Sequence, residues 1–139
     1  MHLTILFFGV SLVFIILTFK VVKNNYSKFP DKIPVHFGFS GKADNWANKS
    51  PVFAYLLPIL GSFQWILFLV LSIPIFSSEN PEVQVWYTPL ITLGLTFTLY
   101  YLQLGIVRYI LEEEKNIRKY LFVGIGILIA TVFLPLIFD

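Results

Sequence analysis

Four long apolar runs leave this chain few folds to choose from. Leu3–Phe19 carries no charge over 17 residues, and Val52–Phe76 carries none over 25. Val85–Ile110 and Tyr120–Phe138 follow. An apolar helix of about 20 residues spans a bilayer's hydrocarbon core. The expectation is an all-α, integral membrane four-helix bundle built from two helical hairpins, a single membrane domain over 1–139. Its spans are expected near 3–19, 52–76, 85–110 and 120–138. Composition agrees: 57% of residues are hydrophobic and 13% charged, about half the usual charged share of a soluble domain.

The first run has no basic flank before it, and Lys20 and Lys23 follow it directly. It therefore reads as a retained helix rather than a cleaved signal. Pro58, Gly61 and Pro74 interrupt the second run, and proline removes a backbone donor, so a bend near Pro58 is expected. Ser77–Gln84 reads as a turn. Aromatic residues Trp86, Tyr87, Tyr100, Tyr101 and Tyr109 gather toward the ends of the third run, as interfacial belts do. Arg108 with Glu112 and Glu114 with Arg118 are four apart, the spacing of paired charges on a solvated helix. Gly126 and Ala130 have the small-xxx-small spacing of a close helix contact.

All ten basic residues fall in the first and third connections: Lys20, Lys23, Lys28, Lys32, Lys42 and Lys49, then Arg108, Lys115, Arg118 and Lys119. The positive-inside rule places those loops in the cytoplasm and both termini outside a cell membrane crossed several times. Lys42 and Lys49 are placed to meet anionic head groups. The net charge of +2 is too small to argue for nucleic acid. Without cysteine, thiol–disulfide chemistry, cysteine nucleophiles and thiolate metal sites are excluded. No span carries an ionisable residue near its middle, where ion-coupled transporters keep one. No Ser/His/Asp set, phosphate loop or paired carboxylate appears, so the chain reads as no enzyme and as binding no cofactor.

The polar loop 20–51 holds what specificity there is. Pro30 and Pro34 force extended backbone around Ile33–Phe37. Gly38, Ser40, Gly41, Asp44 and Asn45 are turn formers, so a short strand or irregular hairpin on the membrane surface is expected. Trp46 fits an interfacial anchor. Ser50 before Pro51 is an N-cap followed by a first-turn proline, a helix start. His36 is expected to bond loop backbone. No metal site is expected, and His36 with Asp44 is the pair that would hold one. Gln64 and Gln103 are the deepest polar residues of the spans, suited to hydrogen bonds between helices or to lining a cavity.

The loop IPVHFGFSGKADNWANKS resembles the small membrane domain (domain of unknown function 1648) at the N-terminus of SdpI-type immunity proteins. Pro34, His36, Phe37, Gly41, Asp44, Trp46, Lys49 and Ser50 occupy its signature places. SdpI-type proteins carry further membrane helices beyond the four read here. The resemblance implies protection against a secreted peptide toxin, in some members with a transcriptional repressor held at the membrane. The leading reading is an SdpI-like immunity or envelope-stress protein. Its loop, with helix faces bearing Gln64, Gln103, Arg108 and Glu112, would bind a peptide toxin or a cytoplasmic regulator. The alternatives are a small-molecule carrier or carrier subunit with Gln64 and Gln103 around a cavity, and a structural membrane subunit.

Overall fold

The computed structural model describes residues 2–76 and 87–138. The turn expected over Ser77–Gln84, and Trp86 after it, lie outside the described residues. The elements are α1 (His2–Asn25), a single 3-10 turn (Tyr26–Lys28), β1 (Lys32–Phe37), β2 (Ala43–Asn48), α2 (Pro51–Ala54), α3 (Leu56–Phe76), α4 (Tyr87–Ile110) and α5 (Arg118–Phe138). The chain is mostly helical, but the antiparallel pair β1–β2 corrects the all-α expectation. Proline-enforced extension in the first loop ends in a paired hairpin. Among the described residues two helices, Thr4–Lys28 and Thr88–Ile110, are long and apolar enough to cross a membrane, and Leu56–Ser72 is a shorter apolar helix.

Helix α4 is the hub, packing against α1, α3 and α5. One of its faces presents Gly94, Thr98 and Gly105 to α5. A methyl group on Gly94 would lie 2.4 Å from the Thr131 hydroxyl oxygen, and one on Gly105 would lie 2.4 Å from the Tyr120 ring. From the other side, a methyl on Gly124 would lie 2.8 Å from Thr98. Only residues without a side chain let the two backbones come this close. The Thr98 hydroxyl then donates to the Gly124 carbonyl at 3.2 Å. The small-residue contact expected at Gly126 and Ala130 is not formed. Both are exposed, and a methyl at Gly126 would meet nothing within 4 Å. α5 is rotated so that Gly124 faces inward.

On α1 the buried residues are Thr4, Phe8, Ser11, Ile15, Thr18 and Val22. They recur at alternating steps of four and three, the spacing of one helix face. The outward residues Ile5, Leu6, Leu12, Val13 and Ile16 are large and apolar. Polarity is thus inverted relative to a water-soluble helix. The inward hydroxyls bond the preceding turn: Ser11 donates to Phe7 O at 2.6 Å and Thr18 to Phe14 O at 2.7 Å. Thr92 and Thr96 of α4 do the same toward Thr88 O and Thr92 O. The Trp65 indole of α3 donates across to Phe8 O at 3.1 Å, with its ring edge-on to Phe8.

The second run is interrupted at one residue, three before Pro58. α2 ends at Ala54, Tyr55 leaves helical geometry (φ −97°, ψ 10°) and α3 starts at Leu56. Pro58 is the cause: it has no N–H for the Ala54 carbonyl four residues back, and its ring crowds that carbonyl. The expected cap is present, with Phe53 N–H donating to Ser50 Oγ at 3.3 Å and Pro51 in the first turn.

α4 ends in a Schellman motif. The Glu113 amide reaches Arg108 O at 2.9 Å and the Glu112 amide reaches Tyr109 O at 3.1 Å. Glu112 sits at φ 61°, a conformation usually given to glycine. The chain is non-helical until Arg118, so the helical pairs Arg108–Glu112 and Glu114–Arg118 cannot form, and that expectation is corrected.

Gly105→Ala should destabilise the protein by about 1–3 kcal/mol through overpacking against Tyr120. Gly126→Ala should be neutral or stabilising by about 0.5–1 kcal/mol, since it removes a helical glycine into open space. Thermal unfolding of both variants in the same detergent checks the contrast.

Candidate functional site: the docked hairpin

Pairing in the hairpin runs Lys32–Asn48, Ile33–Ala47, Pro34–Trp46, His36–Asn45 and Phe37–Ala43, with irregularities on either side of His36. Pro34 has no N–H to give the ladder, and a bulge is where a strand accommodates that loss. Val35 is skipped on β1 and Asp44 on β2, so the two offsets cancel. They bring His36 and Asp44 to the same side, with Nδ1 and Oδ1 2.5 Å apart. The contact uses Nδ1 and leaves Nε2 for another partner. The pair stands in the open, the side chains 66% and 53% exposed. His36 thus bonds a side chain rather than loop backbone. Among the described residues no group of three His, Cys, Asp or Glu is placed to hold a metal ion.

The underside of the hairpin is anchored. Ile33 and Pro34 are buried, and Ile33 joins Val22, Phe29, Ala54, Val107 and Ile110 in one apolar cluster. Tyr109 at the end of α4 is the second fixing point. Its hydroxyl accepts from Ala43 N–H at 3.2 Å, and its ring lies edge-on to Phe37 (5.3 Å) and tilted against Trp46 (6.4 Å). Gly41 is the third. Its carbonyl accepts from Ile117 N–H at 2.8 Å, at φ +72°, and a Cβ there would lie 2.6 Å from the Arg118 nitrogen. Both the backbone angle and the close approach demand glycine. Through these contacts the first and third connections meet at the end of the helices where the basic residues gather.

Lys49, expected at lipid head groups, folds back instead. Its ammonium donates to Phe29 O at 2.9 Å and lies over the Tyr26 ring at 4.9 Å. Lys42 is exposed. It lines an open cleft of about 730 Å³ with Lys32, Trp46, Tyr109, Glu112 and Lys115. On the far side, His36, Phe37 and Phe39 face Arg118, Leu121 and Phe122 across a cleft of about 460 Å³. Phe39 at the tip is fully exposed, and the sequence reading did not single it out. An aromatic residue inside a run of turn formers, FGFSGK, was the available signal.

The polar residues of the helices separate. Gln103 is buried and lines a cavity of about 190 Å³ beneath the hairpin. Gln64 is not among that cavity's lining residues, and its amide group is buried without a hydrogen-bond partner among the described residues. Arg108 Nη1 donates to the Tyr120 hydroxyl at 3.1 Å, and that hydroxyl lies 3.2 Å from Glu114 Oε1. Lys119 also binds Glu114. The sequence marks Tyr120, which is almost wholly buried, only as the first residue of the last span. It is instead the knot between α4, α5 and the third connection.

The hydrogen bond from Lys119, with help from the Tyr120 hydroxyl, holds the Glu114 carboxyl below its ordinary value of 4.5. A depressed carboxyl stabilises the fold above its unfolded value and loses that contribution as pH falls through the folded one. The stability difference between the native chain and Glu114→Gln should therefore be constant above about pH 4.5 and shrink below it. Unfolding midpoints measured from pH 7 to pH 3 check the sign.

Residues 12–61, from the middle of α1 through the whole hairpin to the first turns of α3, match the family model described as Domain of unknown function (DUF1648). No curated protein and no solved structure matches the chain.

Proposed function

We propose that this chain is an integral membrane protein of the SdpI-like immunity or envelope-stress type, with the first-loop hairpin as its docking platform for a peptide or protein partner. The membrane reading is supported by two helices of spanning length and apolarity. The inverted polarity of α1 adds to it, with hydroxyls inside and Ile5, Leu6, Val13 and Ile16 outside. Exposed apolar faces recur on α3 (Ile59, Phe63, Ile66) and α5 (Phe122, Ile125, Ile129). Surfaces of that kind suit lipid, since soluble monomers rarely expose large contiguous apolar patches.

The observation that carries the docking role is the contrast between the hairpin's two sides. Its base is fixed by Ile33, Tyr109 and Gly41, while Phe39, Trp46 and the His36–Asp44 pair stand exposed. Exposed aromatic residues beside polar groups on a rigid support are what protein recognition uses. The charge rule puts this basic end in the cytoplasm. A cytoplasmic regulator would meet the hairpin there directly, and a toxin would meet it only after entering the bilayer.

Cells making the chain should survive a membrane-active peptide that kills cells without it. His36→Ala, Phe39→Ala or Trp46→Ala should lower survival at an unchanged amount of protein in the membrane. Equal survival with and without the chain would contradict the reading. Ser40→Cys, the sole thiol in such a variant, should react with an impermeant maleimide only after the cells are opened.

A further inference from the structure

The cavity beneath the hairpin has a wall of one chemistry. Phe29, Ile33 and Pro34 close it from the loop, Ala54 and Leu57 from the broken second helix, and Ile106 and Ile110 from α4. Gln103 contributes the one polar side chain. The lining residues that are exposed are Val35, Phe53 and Leu56, and these mark the mouth. Phe53 and Leu56 belong to the same outward apolar surface as Val52, Ile59, Leu60 and Phe63. The cavity therefore opens sideways, onto the surface assigned to hydrocarbon, at the helix ends where the basic residues gather. Its volume of about 190 Å³ exceeds the roughly 150 Å³ of an apolar cavity able to hold benzene.

From this we infer that the cavity is a binding site for a short segment of one acyl chain of a membrane phospholipid. The inference rests on the membrane reading above. A lipid chain is the apolar ligand present at high concentration outside that mouth, and it needs no hydrogen bond from the wall. Ala54, Leu56 and Leu57, on either side of the interruption at Tyr55, all line the cavity, and an occupant would support Ile33 and Pro34 from below.

The test uses the full chain in phospholipid nanodiscs containing a phospholipid with a diazirine in one acyl chain, irradiated and mapped by peptide mass spectrometry. Adducts are expected on the wall residues Leu57, Ile106 or Ile110 as well as on the outer residues Ile59 and Phe63. Ala54→Phe, which fills the cavity, should lose the wall adducts and keep the outer ones. Should that variant not fold, Ile106→Phe narrows the same space from α4. Outer adducts alone in the native chain would overturn the cavity assignment and leave the membrane reading standing. Absence of adducts everywhere would overturn both. Wall adducts that persist in a folded, cavity-filled variant would also overturn the assignment.

Discussion

Everything proposed for the first loop depends on its being held, and the holding is done by a few contacts at one end of α4 and α5. The Gly41 carbonyl caps the Ile117 amide, and Tyr109 supplies a hydroxyl to Ala43 and a ring to Phe37 and Trp46. An isolated two-stranded hairpin is marginal in water. This one gains what it lacks from the apolar cluster of Ile33, Phe29, Val22 and Val107 beneath it. Because the base is fixed, a partner of the kind proposed would meet the exposed His36–Asp44 pair and Phe39 without a large ordering cost.

That anchoring requires in turn that the helices below be set closely. Gly94 and Gly105 on α4 and Gly124 on α5 permit the approach, which places Tyr120 beside Arg108 and Glu114 and so fixes the third connection. The third connection carries Ile117 and Arg118, the surface on which Gly41 rests. A chain of contacts thus runs from three glycines inside the helices to the tip of the loop. The sharp end of α4 contributes as well. Glu112 accepts an unfavourable left-handed conformation, which stops the helix in time for the chain to turn back beneath the hairpin.

Much of this was legible in the residues. The apolar runs located the helices to within a few residues at most ends, and Pro30, Pro34 and Gly41 foretold an extended, turning loop. Ser50 and Pro51 marked the helix start where it is. What was not legible has physical reasons. The break at Tyr55 lies one turn before Pro58 because proline acts on the carbonyl four residues back. Gly126 and Ala130 carry the right spacing on the wrong face, and in a helix apolar all round the hydrophobic pattern cannot say which face turns inward. The inward stripe of α1 could have been read from Thr4, Ser11 and Thr18, spaced seven apart. In a helix whose outward residues are themselves apolar, small hydroxyl residues mark the interior better than apolar ones do. The sequence named His36 with Asp44 as a pair that a hairpin could join, but the two compensating bulges that join them are announced by no residue pattern.

The central claim is that the hairpin is docked before any partner arrives, and amide hydrogen exchange on the unliganded protein in nanodiscs tests it most directly. The account predicts that the Ala43 and Ile117 amides exchange slowly, and that Tyr109→Phe releases Ala43 while leaving Ile117 protected. Exchange of both amides in the native chain at the rate of an unstructured peptide would contradict it, because the loop would then be ordered only by what it binds.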